Sequence, residues 1–432
     1  MAAMSPTPAR PPSPVAAPAP AQPPAPPSVD ADVLIVGAGP AGLALACALA
    51  DAGLVPMLIE QQDDAALAEP ADDGRDIALT HRARDVMQQL GLWQRLPFDQ
   101  VAPLREARVV DGPGLQGSAG GPLCFARPPG AEALGWLVPN QHIRRAAHQA
   151  ARARPAVRWC TGARVTALAL AGPLARVGLA DGRQLSAPLV VAADSRFSAT
   201  RRLAGIGAEQ RDFGRSVIVG RVAHASVDHQ GIAWECFGHG QTLALLPMNQ
   251  RQCSAVVTVP SDQAPAWLAL DDAGFAHQVQ QLAASRLGPL QAVGHRHHHP
   301  LVGVYAHAFS TRRLALVGDA AVGMHPVTAH GYNFGLYGVQ TLVDLLAAAQ
   351  QRGQDIGHAD LLARYAQAHR RATWPVCQGT NLVVGLFTDA RAPALLARRL
   401  VLGAAQRLPG ISTLVKAAIT RQLTGGAAVG RH

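Results

Sequence analysis

At 432 residues, 49% of them hydrophobic, the chain is long enough for two or three domains around a large core, yet no apolar run approaches the roughly 18 residues of a membrane-spanning helix. The formal charge of +9 comes from basic residues that are all arginine except Lys416; they are dispersed, with no basic run beside stacking aromatics, which excludes a nucleic-acid surface. Six widely spaced cysteines without a CxxC pair exclude a disulfide framework and point to the reducing cytosol.

Residues 1–29 are mostly Ala and Pro and read as a disordered tail, too poor in large apolar side chains to offset chain entropy. From Asp32 the pattern changes. The run DVLIVG is short and continuously apolar, as in a parallel strand buried on both faces, and a helix is expected from about Gly39 to Ala52. VPMLIE forms a second strand ending at Glu60. Helical periods follow at Ile77 to Trp93 and at Asn140 to Arg154. Successive strands with a hairpin at Asp181-Gly182 occupy the stretch after Val157, and further strands are expected between about Phe213 and Val304. Beyond Thr341 the chain is rich in Ala, Leu and Arg and reads as helical.

Gly37, Gly39 and Gly42 form G-x-G-x-x-G between the first strand and helix. The first glycine permits the tight turn, the second lets backbone approach a pyrophosphate, and the third lets helix pack on strand. The helix N-terminus favours the phosphate charge, and Pro40 in the first turn costs no hydrogen bond. Glu60, at the ribose position of such units, hydrogen-bonds an adenosine ribose and repels a 2′-phosphate, so the loop is expected to hold FAD or NAD.

A second candidate ligand segment runs from Arg313 to Ala349. The strand LALVG ends at Gly318, and Asp319 follows at the carboxyl edge of the sheet, where α/β folds bind ligands. HPVTAHGYNFG then supplies Gly, Pro and Asn for a loop that approaches a flat ring and starts a helix near Gly331, its positive end toward that ring. His330 beside this loop is a candidate general base for a phenol, or a histidine that shapes the pocket. Trp234, Phe237 and Leu245 to Pro247, on expected strands, are candidates to line an apolar ring pocket, with core packing as the other reading. His295, His297 and His299 in HRHHHP share one strand face, but no acid or Cys partner lies in the segment and a metal site is not expected.

These motifs resemble the flavoprotein aromatic hydroxylases of the para-hydroxybenzoate hydroxylase type, and especially their ubiquinone-biosynthesis branch. The likeness spans about Asp32 to Leu346 in three ordered blocks: the glycine loop with Glu60 and GRDIALTHRARD with Arg75, ADSRFSATR from Ala193 to Arg201, and GDAAxxxHPxxxxGxNxG from Gly318 to Gly335. Departures from the family pattern are Ser195 where Gly follows the Asp, Val322 for the His of GDAAH, Ala329-His330 before Gly331, and Tyr337-Gly338 where many members carry Arg-Asp.

The resemblance implies an α/β fold with a discontinuous Rossmann-like FAD-binding domain (30–103, 139–206 and 306–350), an inserted mainly β substrate domain (104–138 and 207–305) and C-terminal helices (351–432). Both loops would then bind one FAD. Gly37 to Gly42 hold the pyrophosphate, Glu60 the adenosine ribose and Asp319 the ribityl chain; Arg75 or Arg144 lies near the phosphates or ribityl chain, and Gly331 to Asn333 donate to the flavin N1/C2 edge. Pro326, with His330, is the implied catalytic segment. NAD(P)H would reduce the flavin, O2 would give a C4a-hydroperoxide, and a hydroxyl would pass to an apolar aromatic ring, a polyprenylated phenol or quinol of ubiquinone biosynthesis. Another small aromatic substrate and a non-catalytic flavin-binding role in a biosynthetic assembly are the alternatives. The expected place is the cytoplasm, with a peripheral contact to the inner membrane or a biosynthetic complex through the segment bearing Arg398, Arg399, Arg407, Lys416 and Arg421.

Overall fold

The computed structural model describes residues 29–111, 121–127, 130–238, 240–324 and 331–388. Its first sheet has six strands, β1 (Val33–Val36), β2 (Pro56–Ile59), β8 (Arg158–Cys160), β12 (Leu189–Ala192), β18 (Ser310–Thr311) and β19 (Leu314–Leu316), in the order β18-β19-β12-β1-β2-β8. All pairings are parallel except β18 with β19. Every residue of β1 and of β12 is buried, which is why DVLIVG carries no alternation. Helix α1 (Pro40–Asp51) packs on both α4 (Asn140–Arg152) and α8 (Gly331–Gln351). This is the expected α/β class.

Two small antiparallel sheets flank it. Strands β9 (Val165–Ala169), β10 (Ala175–Leu179) and β11 (Gln184–Ala187) form one, and the Asp181-Gly182 turn, with Gly182 at φ +89°, joins β10 to β11. Strands β3 (Asp76–Leu79), β4 (Ala102–Leu104) and β7 (Gly135–Pro139) form the other, with β7 in the middle. The helix expected from Ile77 therefore starts later: Asp76 to Leu79 pair with Trp136 to Pro139, and α3 covers only His81–Gln89. Thr80 sets the boundary by accepting from Ala83 N at 3.1 Å, a side-chain cap that satisfies an otherwise orphan N–H.

The largest sheet has eight strands: β5 (Glu106–Asp111), β6 (Leu123–Ala126), β13 (Ala208–His224), β14 (Ile232–Phe237), β15 (Thr242–Met248), β16 (Gln252–Pro260), β17 (Leu290–Ala306) and β20 (Val322–Gly323). Their order is β20-β17-β13-β16-β15-β14-β5-β6. One face is covered by α6 (Ala264–Leu268) and α7 (Asp272–Leu282), whose Trp267, Phe275 and Val279 join Ile218, Cys236 and Leu245 in one core. A Cβ on Gly220 would meet the Phe275 ring at 2.9 Å, so glycine is what lets α7 seat here. The opposite, inner face turns toward β3, β4 and β7: Phe125, Ala233 and Phe237 cluster with Leu134, Leu137 and Ala78. The remaining helices are α2 (Asp64–Ala68), α5 (Ala199–Leu203) and α9 (Ala359–Thr388). The expected tail lies, save Val29, outside the described residues, as does the basic C-terminal segment from Arg398.

Candidate cofactor and substrate site

The three glycines of the first loop do three different things. Gly37 has φ +106°, and a Cβ there would stand 2.5 Å from the Ala193 carbonyl oxygen. A Cβ on Gly42 would lie 2.0 Å from the Gly37 carbonyl oxygen; here helix meets strand. Gly39 differs, because a Cβ on it would meet no atom within 4 Å. Its backbone is extended (φ −70°, ψ 175°), so neither strain nor packing in the protein demands glycine there. What demands it is space on the outer side of the turn. Gly39 caps α1 without a side-chain hydrogen bond and the first turn carries no acidic residue, so the positive helix end stays available to an anion. These residues fit the pyrophosphate of FAD.

Glu60 accepts from Ala38 N at 2.7 Å and from Gln62 N at 2.9 Å, so it braces the loop at the edge where a ribose would lie. Gln62 also accepts from Arg144 Nη2 at 3.4 Å, which puts Arg144 at this end. Arg75 is paired with Asp73 at 2.6 Å and about half exposed, and Asp73 also accepts from Asn140 Nδ2 at 2.8 Å. Although desolvation raises the Asp73 carboxyl, its bonds from Arg75 and Asn140 prevail and hold it below its ordinary value. Arg75 thus clamps the 73–76 loop to the start of α4.

The second stretch meets the turn of the first at Ala41. Cβ atoms built on Gly318, which has φ +58°, and on Gly335 would stand 3.0 and 3.6 Å from the Ala41 Cβ. Asp319, in a 3-10 turn over Gly318–Ala320, is 3.3 Å from Arg196 Nη2, and Arg196 Nη1 donates to the Val302 carbonyl at 3.1 Å. Arg201 of the middle motif is fully buried and donates to the Ala320 and Arg196 carbonyls at 2.8 and 3.1 Å. Asp194 accepts from Ser198 Oγ, Thr200 N and Thr200 Oγ1, capping the short α5. The motif ADSRFSATR therefore holds the Asp319 turn in place. Ser195, where the family pattern has glycine, takes φ +128°, a conformation that disfavours a side chain.

Asn333 is buried at the start of α8, and its side chain is occupied. Its Oδ1 accepts from Thr80 N at 3.0 Å and its Nδ2 donates to the Ala78 carbonyl at 2.8 Å. The Asn333 side chain thus ties the start of α8 to β3. Tyr337 bonds Thr80 Oγ1 through its hydroxyl at 2.5 Å. Gly338 admits the His369 ring, which a Cβ would meet at 2.8 Å. Pro326 and His330 lie outside the described residues.

The apolar-pocket expectation divides by strand parity. Trp234 pairs with Leu245 and Pro247 with Cys253, both in the core under α6 and α7. Trp234 is flanked there by the Arg108 and Arg286 guanidinium groups, 5.1 and 4.7 Å from its ring. Trp234 and Pro247 thus belong to the helix-covered face, a correction, because consecutive strand residues alternate sides. Phe237 is on the inner face, in the cluster with Leu137 and Ala78. Of the histidines, His297 packs on Gly74 and His299 bonds the Asp73 carbonyl at 2.9 Å, whereas a bulge in the β13–β17 register, between Val219 and Arg221, leaves His295 exposed. Among the described residues no three His, Cys, Asp or Glu side chains group as metal ligands.

Sequence reasoning missed the inner-face row itself. Direct cross-strand partners put His297, Val219, Val256, Ala244, Glu235, Val109 and Leu123 on one line across seven strands. Val256, Ala244, Glu235 and Val109 keep partial exposure, while the other face is closed by helices. An apolar, accessible surface thus faces β3, whose Ala78 carbonyl is held by Asn333. No local sequence signal marks this row, because it is defined by cross-strand pairing.

The FAD-binding-domain family model matches residues 30–380. The chain is similar to the ubiquinone hydroxylase UbiM of Neisseria meningitidis, 42% identical over 398 residues that cover 92% of this chain and 85% of that protein. It is 37% identical to the ubiquinone hydroxylase UbiL of Rhodospirillum rubrum over 386 residues, 89% of this chain and 88% of that protein. Among solved structures, PqsL of Pseudomonas aeruginosa superposes with a TM-score of 0.69 at 22% identity, over 86% of this chain and 99% of that one, a likeness of fold.

Proposed function

The chain belongs to the FAD-binding-domain family, and from that premise we propose that it is an FAD-dependent monooxygenase that hydroxylates the ring of a polyprenylated phenol or quinol intermediate of ubiquinone biosynthesis. The observation that carries the reading is the 42% identity to a ubiquinone hydroxylase over 92% of this chain. The geometry supports it: two glycine turns meet at Ala41, and an apolar, partly exposed sheet face lies beside them. Bound FAD would supply the chemistry, accepting hydride from NAD(P)H and delivering one oxygen atom of O2.

The chain's own residues bind, orient and exclude water. The α1 N-terminus and the Gly39 backbone hold the pyrophosphate, Glu60 the adenosine ribose, and Asp319, oriented by Arg196, the ribityl hydroxyls. The first turn of α8 directs main-chain N–H groups at the flavin edge where negative charge develops, with Asn333 fixing that turn against β3. The inner sheet face seats the ring, and its apolar surface keeps water from the reacting carbon. No helix among the described residues is long and apolar enough to cross a membrane, and a prenylated ring is sparingly soluble, so substrate reaches the site through peripheral contact with a membrane or a biosynthetic partner.

The test is aerobic turnover of purified protein with FAD, NAD(P)H and a short-chain prenylphenol. Hydroxylated product with NAD(P)H oxidation stimulated by the phenol is the expected result. A flavin-bearing protein with no stimulation would refute the reading and favour a non-catalytic flavin-binding component.

A further inference from the structure

Glu235 is the one carboxylate in the inner-face row, and nothing in the described protein answers it. It sits between Ala233 and Phe237 on β14, with Ala244 directly across on β15 and Val109 directly across on β5. The layer in front contributes Ala78, Leu134 and Leu137 to the same apolar cluster. Charged neighbours in sequence turn away: Arg108 pairs with Glu106 at 2.8 Å and stacks on Trp234, on the helix-covered face. Arg286 also lies on that face, against Trp234. Arg221, on the inner face, is engaged with Asp76 at 2.6 Å on β13, beyond β16 and β15 from β14. Glu235 makes no hydrogen bond or ion pair among the described residues.

A carboxylate placed so is costly unless something that arrives later completes it. Its side chain keeps partial exposure although Ala233 and Phe237 on either side are buried, so it opens on the accessible part of this face. That face is continuous with the ring end of the cofactor site, since Ala78 shares the cluster with Phe237 and its carbonyl accepts from Asn333 Nδ2 at 2.8 Å in the first turn of α8.

Resting on the reading above, we propose that Glu235 touches the substrate, accepting the hydrogen bond and then the proton of the ring hydroxyl. As one oxygen atom of O2 bonds to the ring carbon, the O–O bond breaks and the other atom leaves as water, with the two electrons that NAD(P)H supplies through the flavin; the hydroxyl O–H bond breaks toward Glu235 and its electron pair moves into the ring. When aromaticity returns, the proton on the attacked carbon leaves to water and the proton on Glu235 returns to the ring oxygen. Desolvation pushes the Glu235 carboxyl up to about 7, where a carboxylate is a competent base near neutral pH. Among the described side chains no charged group offsets that effect.

The test uses holoenzyme and two variants, Glu235→Gln and Glu235→Leu. In wild type kcat/KM should rise with pH through about 7; in Glu235→Gln that limb should vanish, with more peroxide released per NAD(P)H while FAD affinity and the rate of flavin reduction stay as in wild type. Binding supplies a readout independent of turnover: wild type should prefer a short-chain prenylphenol over its methyl ether by about tenfold or more, as expected for a charge-assisted hydrogen bond, and Glu235→Leu should show no preference. Unchanged coupling and pH profile in Glu235→Gln, or an unchanged preference in Glu235→Leu, would overturn the proposal. So would a limb that survives in Glu235→Gln and is lost in His330→Ala. Wild type that binds the phenol in preference to the ether but never hydroxylates it would sink the monooxygenase reading and leave the Glu235 contact standing.

Discussion

Gly39→Ala separates the protein's needs from the cofactor's. The added methyl meets no protein atom within 4 Å, and φ −70° with ψ 175° is open to any residue. Two small effects oppose each other in the apoprotein: alanine restricts the unfolded chain, a gain of about 0.4–1 kcal/mol, and it is the poorer N-cap, a loss of about 0.5–1 kcal/mol. Apoprotein stability should therefore change by less than about 1 kcal/mol. A pyrophosphate held at the α1 N-terminus would meet that methyl and lose at least one charge-assisted hydrogen bond, about 1.5–3 kcal/mol, or about 10- to 100-fold in FAD affinity. Gly42→Ala is the contrast, because its methyl would lie 2.0 Å from the Gly37 carbonyl oxygen; overpacking of that kind costs about 1–3 kcal/mol in the apoprotein. Urea unfolding of the two apoproteins and FAD titration followed by flavin fluorescence give both numbers. If Gly39→Ala binds FAD as wild type does, or its apoprotein is destabilised as far as Gly42→Ala, the assignment of the open side of this turn to a phosphate is wrong.

Ser195→Gly should raise the urea midpoint, by about 1 kcal/mol in stability, since φ +128° is a conformation glycine adopts without strain; an unchanged or lower midpoint counts against it. Asp319→Ala breaks only a partly exposed pair with Arg196, so apoprotein stability should change by less than about 1 kcal/mol, while FAD retention weakens by about 1–3 kcal/mol; full occupancy on purification would remove Asp319 from the site. Burial holds the His369 imidazole neutral, down to about 4 from 6.5. The folded state thus resists a proton the unfolded chain accepts, and stability present above about 6.5 is lost as pH falls toward 4, by up to about 3 kcal/mol. The melting temperature of His369→Leu should fall less over that window, and parallel curves for the two proteins would show that another group carries the acid limb.

The cofactor side of the site was legible because a phosphate imposes glycine at fixed offsets, a constraint local to a dozen residues. The middle motif was visible but its work was not: only the fold shows Arg201 reaching the Ala320 carbonyl. The ring side was hidden by geometry. Each face of β14 carries apolar side chains, one packed under helices and one turned toward the small sheet, so Trp234 and Phe237 look alike in sequence although they point apart. Parity is decided by pairing with Val109 and Ala244, and no local pattern carries that. Ile77 to Leu79 misled for the same reason: three aliphatic residues before a helical period join the helix on paper, while pairing with β7 makes them a strand.

The bond from Thr80 N to Asn333 spans 253 positions, and Ala41 meets Gly318 and Gly335 over a comparable interval. A nascent chain therefore exposes its phosphate loop long before the residues that complete the pocket leave the ribosome. Translation proceeds at about 5–20 residues per second, so the loop waits on the order of tens of seconds, with β1 lacking its neighbour β12 for much of that time. Flavin can be captured only after the residues through Gly335 have emerged, and cofactor supply should govern how much newly made protein survives quality control rather than how fast its first domain folds.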